Sequence, residues 1–240
     1  MCNEAELSPQ VIRQNEDARA EQIMKMQTEN VIQTGSVITR GERRIFVTSV
    51  IGQVEGHFLS LDRAKTTKYE HVLPLIASVE ENELIDGALF LVNTMGGDVE
   101  AGLAIGEMIG GMKKPTASLI LGGSHSIGVP IAVAAKKSFI APSATMTLHP
   151  VRTNGLVVGV EQSFSYFKAM QNRIVDFITG HSSVKREKLL ELIMATDEIA
   201  TDMGTVVGAD EAVECGLIDA VGSFSDAISF IKGECPKETC

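Results

Sequence analysis

Basic residues are in short supply. Lys and Arg number 21 against 31 Asp and Glu, a net charge of −10 with a pI near 5.0. A nucleic-acid binder needs a basic surface to displace counterions, so that class is excluded. Cysteine is sparse as well: Cys2, Cys215, Cys235 and Cys240 lie at no metal-ligand spacing and imply no disulfide framework. The opening residues, MCNEAELSPQ, lack the apolar stretch of a secretory signal, so the cytoplasm is the expected location. No membrane span is expected either. Residues 115–135 carry no Asp, Glu, Lys or Arg, about the length a spanning helix needs. Their centre, however, reads Gly122-Gly123-Ser124-His125-Ser126, which suits a strand, a tight turn and a buried helix better than a bilayer.

What is present is an ordinary globular composition, 44% hydrophobic over 240 residues, which excludes disorder throughout. The organisation expected is a polar, flexible arm over 1–33, one domain over 34–232 and a tail over 233–240. Ile45-Phe46-Val47-Thr48-Ser49-Val50-Ile51 reads as a strand ended by Gly52, with helix following through Leu61 and again over 69–79. Ala88-Leu89-Phe90-Leu91-Val92 is a continuous apolar run, the mark of a strand buried on both faces. A Gly-Gly turn and a helix over 99–112 follow, stopped by Lys113-Lys114-Pro115. A strand over 117–121, a helix over 128–135 and strands at 139–140 and 145–148 complete the series. Strand and helix in alternation with short connections mean an α/β fold on a largely parallel sheet.

Aromatic residues make up only 5% of the chain and tryptophan is absent, so three phenylalanines in one segment carry weight. Phe164, Phe167, Met170, Ile174, Phe177 and Ile178 recur at steps of three and four, one helix face. That face packs either into the core or against another subunit.

Ligands on such sheets gather beyond the carboxyl ends of the strands. Two turns lie there: Asn93-Thr94-Met95-Gly96-Gly97-Asp98, and Gly122-Gly123-Ser124-His125-Ser126-Ile127-Gly128. Each opens a helix, whose free N–H groups suit a developing anion. Gly96 and Gly97 allow close approach to a backbone. Ser126, with Ser124 two before and Gly128 two after, resembles a nucleophile elbow. A serine hydroxyl needs a base. Of His57, His71, His125, His149 and His181, His149 sits at a strand's carboxyl end, before Pro150. His125 adjoins Ser126 in sequence but is expected to point away, and His71 and His181 are expected to be solvated. The order serine then histidine does not fit an α/β-hydrolase, where an acid comes between.

Five segments, in order, resemble the Clp protease proteolytic subunit family: Gly52-Gln53-Val54-Glu55-Gly56-His57; Asn93-Thr94-Met95-Gly96-Gly97-Asp98 continued through Ile105; Ser126-Ile127-Gly128; Met146-Thr147-Leu148-His149-Pro150; and Asp210-Glu211-Ala212-Val213-Glu214-Cys215-Gly216-Leu217-Ile218-Asp219. Within that family the translocation-enhancing branch is the nearest. The resemblance implies a crotonase/Clp-type α/β fold of repeated β-β-α units with a strand-helix handle over 151–180. It implies a serine peptidase needing no cofactor or metal, with Ser126 as nucleophile, His149 as base, and the N–H groups of Gly97 and Ile127 as oxyanion donors beside Gly96. The family's acid falls on Gly204, which has no side chain. Asp202 is named in its place and Asp197 in reserve, while Asp210 and Asp219 read as cap and turn residues. Further implications are peptide or unfolded-protein substrates and a homo-oligomer of rings or stacked rings. An ATP-dependent unfoldase is also a family partner, although residues 1–33 do not match its docking segment. Two other readings are an acyl-CoA-binding crotonase relative, and a non-catalytic scaffold motivated by the displaced acid.

Overall fold

The structure, a computed structural model, describes residues 31, 35–39, 41–57, 65–152, 158–196 and 203–233. The expected arm and tail therefore lie almost entirely outside the described residues, as do Asp197, Asp202 and the strand half of the expected handle.

The described chain runs β1 (Ser36–Ile38), β2 (Ile45–Glu55), β3 (Thr66–Lys68), α1 (Tyr69–Glu81), β4 (Gly87–Gly97), α2 (Val99–Gly110), β5 (Thr116–His125) and α3 (Gly128–Val133). It continues through β6 (Lys137–Ile140), β7 (Thr145–Leu148), α4 (Val160–His181), α5 (Arg186–Met194), β8 (Thr205–Gly208), α6 (Ala209–Glu214), β9 (Ala220–Val221) and α7 (Phe224–Lys232). The sheet has the order β1-β2-β4-β5-β6-β9. All neighbours on that path are parallel except β1 with β2. The apolar run in β4 is buried on both faces, as its continuity predicted. Ala88, Phe90 and Val92 enter the large core, whereas Leu89 enters a smaller cluster with Ile45, Val47, Leu119, Phe139, Ala227 and Ile231. Helix α7 thus closes one face. A capping box, Ser223 with Asp226, starts it.

Three strands outrun their expected ends, each through glycine. β2 passes Gly52 at a register shift and reaches Glu55, so residues 53–55 are strand, not helix. β4 runs on to Gly97 and β5 to His125. Glycine punctuates a strand only where no neighbour pairs with it; here a ladder partner carries the chain past, Thr94 at Gly52, Gln53 at Gly96 and Thr145 at Gly123. Past Leu121 the sheet changes partner. The first half of β5 pairs with β6, and its second half, Gly123 to His125, pairs with β7 in parallel. β7 in turn pairs antiparallel with β8.

The phenylalanine stripe divides along α4. Val175, Phe177 and Ile178 are buried in the C-terminal half. Phe164 is 68% exposed and Val160 79%. The C-terminal half of the face therefore packs into the core, and the N-terminal half stands exposed in this chain.

Candidate active site

Ser126 follows β5 with φ of 57°, and among the described residues it alone has positive φ without being glycine. Such a backbone costs on the order of 1–3 kcal/mol and persists only where its surroundings impose it. Here the Ser126 N–H donates to the Thr147 carbonyl (2.8 Å), and the Ser126 carbonyl accepts from the Val129 N–H (3.0 Å) as α3 begins. A side chain at Gly128 would overlap Thr94 and come within 3.0 Å of Ser124 Oγ. The small-residue pattern around Ser126 is thus a packing requirement of this sharp turn, as its sequence suggested.

Register brings the second turn alongside. Thr94 pairs with Ser124 across β4 and β5, which places Gly96 level with Ser126. Gly96 has φ of 91°, and a Cβ there would stand 2.7 Å from Ser126 Cβ and 2.8 Å from the His125 carbonyl oxygen. Gly97 is pressed as closely on β2, where a Cβ would overlap the Val54 carbonyl. The turn is held by its own side chains: Thr94 Oγ1 donates to the Gly52 carbonyl (2.5 Å) and accepts the Gly96 N–H (3.1 Å). Asp98 caps α2 by accepting the Ala101 N–H (2.8 Å). Neither glycine tolerates a larger residue.

His149 arrives by the parallel β5–β7 pairing. His125 lies opposite Thr147, so the next residue of each strand emerges on one rim, with His149 just beyond. Its Nδ1 lies 2.7 Å from the Pro150 carbonyl oxygen. A carbonyl only accepts, so Nδ1 carries the proton and Nε2 of the neutral ring keeps its lone pair. Ser126, Ile127, Gly97 and His149 line one cavity of 130 Å³ with Val99, Leu148, Ile174, Ile178 and Ile193. Gln171 of α4 also borders it, its Oε1 accepting the Val151 N–H (2.8 Å). Among the described residues no hydrogen bond joins Ser126 to His149; the cavity lies between them.

Five of the six expected site residues therefore meet at one place, and the sixth, Asp202, lies outside the described residues. Gly204, where the resemblance puts the acid, does pack against His149. Its φ is 126°, and a Cβ there would lie 2.8 Å from His149 Cβ and overlap the Leu148 carbonyl oxygen. This backbone admits no side chain. Among the described residues no carboxylate is bonded to His149. Asp219 accepts the Ser138 N–H and hydroxyl (2.7 and 2.8 Å) in a distant turn, as expected.

The other histidines separate. His71 is exposed on α1. His181 is not simply solvated: it stacks on Phe177 with ring centroids 4.1 Å apart, and its Nδ1 bonds the Phe177 carbonyl at the end of α4. His57 meets Tyr69 edge-on. His125 is a second whose surroundings sequence reasoning missed. It does turn from Ser126, but its Nδ1 shares a hydrogen bond with Thr147 Oγ1 (2.7 Å) on the strand that carries His149. Only the β5–β7 pairing could have revealed this, and no periodicity encodes that pairing.

A Clp protease family model matches residues 39–224. The chain is 52% identical over 187 residues to the translocation-enhancing protein TepA of Halalkalibacterium halodurans, covering 78% of this chain and 73% of that protein. It is 28% identical over 145 residues to an ATP-dependent Clp protease proteolytic subunit 1 of Chlamydia abortus, covering 58% and 71%. Among solved structures, a point mutant of ClpP1 from Listeria monocytogenes superposes with a TM-score of 0.59 at 20% identity, over 76% of this chain and 94% of that one. At that identity the likeness speaks for the fold.

Proposed function

The chain belongs to the Clp protease family, and from that premise we propose that it is a serine peptidase with Ser126 as nucleophile and His149 as base. The observation that carries this is the left-handed Ser126 turn, set beside Gly96 and Gly97 and facing one cavity with His149. A structural helix start has no need of a positive φ at a non-glycine residue.

In this reading His149 Nε2 takes the hydroxyl proton as Ser126 Oγ attacks a peptide carbonyl. The N–H groups of Gly97 and Ile127 receive the oxyanion. His149 then hands its proton to the leaving amine, and water repeats the cycle on the acyl-enzyme. A positioned base contributes about 10²–10⁴ in rate, and one oxyanion donor about 10²–10³. The Pro150 carbonyl selects the productive tautomer, but as a neutral group it stabilises the imidazolium less than a carboxylate does. Asp202 is the residue proposed to supply that charge, with Asp197 in reserve. Hydrolysis should fall further in Asp202→Ala than in Asp197→Ala, and the opposite ranking reassigns the acid.

The exposed half of α4, with Val160, Phe164 and Tyr166, supports a homo-oligomer joined through this helix. Ring enclosure would limit substrates to peptides and unfolded chains. The cytoplasm remains the proposed location; among the described residues no helix is long and apolar enough to cross a membrane. The absence of a carboxylate on His149 among the described residues favours the scaffold reading as the alternative. Labelling with a fluorophosphonate probe, read by intact mass, separates them. One adduct on wild type, lost in Ser126→Ala and slowed in His149→Ala, supports the peptidase. No adduct on the folded oligomer would leave the scaffold.

A further inference from the structure

The ladder of β7 ends at Leu148, paired with Thr205. His149, Pro150 and Val151 run on without a strand partner, and one peptide group holds them. The Pro150 carbonyl and the Val151 N–H belong to the same planar unit. The carbonyl oxygen lies 2.7 Å from His149 Nδ1, and the N–H donates to Gln171 Oε1 on α4 (2.8 Å). A backbone N–H only donates, so the glutamine turns its oxygen to it. Among the described residues this is the one hydrogen bond that ties 149–151 to another element. Gln171 is half-buried, and Ile174 and Ile178 from the same helix face line the cavity with it. Val175, Phe177 and Ile178 are buried below it, so the acceptor stands on an anchored stretch of helix.

We propose that Gln171 is a positioning residue for His149, acting through the Pro150–Val151 peptide group. This rests on the peptidase reading above. The proline ring fixes φ at 150 but leaves ψ free, so an unanchored plane can turn its carbonyl away from Nδ1. The bond to Gln171 blocks that rotation. It keeps the imidazole proton on Nδ1 and the lone pair of Nε2 toward the cavity. It also polarises the peptide group, since a hydrogen bond at the N–H strengthens the carbonyl as an acceptor by about 10–30%. When His149 takes the serine proton, its Nδ1–H bond becomes charge-assisted. The chain from Nδ1–H through the peptide group to Oε1 then meets the new charge with two aligned neutral dipoles, in a site where Gly204 leaves no room for a carboxylate.

The test compares Gln171→Met, which keeps the length and loses the acceptor, with Gln171→Glu, which keeps an acceptor oxygen at the same reach. Fluorophosphonate labelling is followed at pH 8, at a temperature where every variant is folded. Gln171→Met should label about tenfold more slowly than wild type, the loss of one hydrogen bond, and Gln171→Glu at least about fivefold faster than Gln171→Met. Labelling of Gln171→Met at the wild-type rate, or equal slowing in both variants, would overturn the proposal, because packing and not the acceptor would then be what counts. A second arm needs no turnover. In the Ser126→Ala protein, ring ¹⁵N shifts of His149, assigned by their loss in His149→Gln, should show the proton on Nδ1 and its partial transfer to Nε2 when Gln171→Met is added. An unmoved proton would overturn the proposal. Absence of probe labelling on wild-type protein would instead sink the peptidase reading, and the ¹⁵N arm would still decide whether Gln171 sets the tautomer.

Discussion

Replacing Gly204 by aspartate would place a carboxylate where the family resemblance puts the acid, and on sequence grounds it should speed the enzyme. The backbone says the reverse. A side chain at φ of 126° costs on the order of 1–3 kcal/mol. The added Cβ overlaps the Leu148 carbonyl and stands 2.8 Å from His149 Cβ and 3.0 Å from its Cα. Those atoms belong to the backbone or to the first side-chain carbon, so no rotamer relieves the conflict, and overpacking adds about 1–3 kcal/mol. Residue 204 cannot slide aside cheaply. Its N–H donates to the Ala195 carbonyl (2.7 Å), and Thr205 pairs with Leu148 in the β7–β8 ladder. A total of roughly 2–6 kcal/mol at about 2–4 °C per kcal/mol lowers the melting temperature by roughly 5–20 °C. The assay is thermal unfolding by circular dichroism, paired with the rate of fluorophosphonate labelling at a temperature where all proteins are folded. Gly204→Ala carries the same Cβ without the charge, so both variants should lose stability alike and label more slowly through the displaced His149. Faster labelling by Gly204→Asp at an unchanged melting temperature would refute the reasoning, because it would mean that the backbone yields and the acid works.

Gly96→Ala should abolish labelling, since its methyl would sit 2.7 Å from Ser126 Cβ; a variant that labels within about tenfold of wild type would show the turn to be remote from the chemistry. If α4 joins subunits as proposed above, Phe164→Asp should shift light scattering to smaller species without destabilising the single chain, because this side chain is 68% exposed in it; an unchanged size would remove α4 as the contact. Ser124→Ala should be neutral or stabilise by up to about 1 kcal/mol in urea titration, because the buried Ser124 hydroxyl has no hydrogen-bond partner among the described residues. The two hydrogen bonds from Arg173 hold the Glu100 carboxyl below its ordinary 4.5. Its stabilisation is therefore present above that pH and lost as pH falls through the lowered value. Both side chains are about half exposed, so screening limits Glu100→Gln to under about 1 kcal/mol near neutrality, and the difference from wild type should shrink as the pH falls through the lowered value.

The sheet was legible because parallel strands must be apolar on both faces, and Ala88 to Val92 has no other comfortable home. Helix α4 was legible from its period. What the one-dimensional pattern could not supply was partnership. Gly52, Gly96 and Gly123 read as strand ends because glycine ends strands where nothing pairs with it, whereas neighbouring strands pair with each of them here. The exposed half of α4 and its buried half look identical in sequence, because the same period of apolar residues runs through both.

The site follows the same division. Ser126, Gly96 and Gly97 could be read locally, since a sharp turn and a close approach each demand particular residue types. His149 could be reached from its place at a strand end. Its protonation geometry could not, because that depends on the Pro150 carbonyl and on the glycine that fills position 204. Nor could the surroundings of His125: its hydrogen-bond partner is Thr147, 22 residues away, delivered by a change of strand partner in the middle of β5. The parallel pairing that brings His149 to the rim of Ser126 also makes the His125–Thr147 hydrogen bond, so any substitution that shifts the β5–β7 register must disturb all of them at once. Thr147→Val, which removes only the hydroxyl, tests how much of that register the one hydrogen bond holds: it should cost about 1 kcal/mol, a few degrees of melting temperature, and leave fluorophosphonate labelling within about threefold of wild type. A variant that labels more than about tenfold slower at an unchanged melting temperature would mean that Thr147 acts on the site and not on the strand.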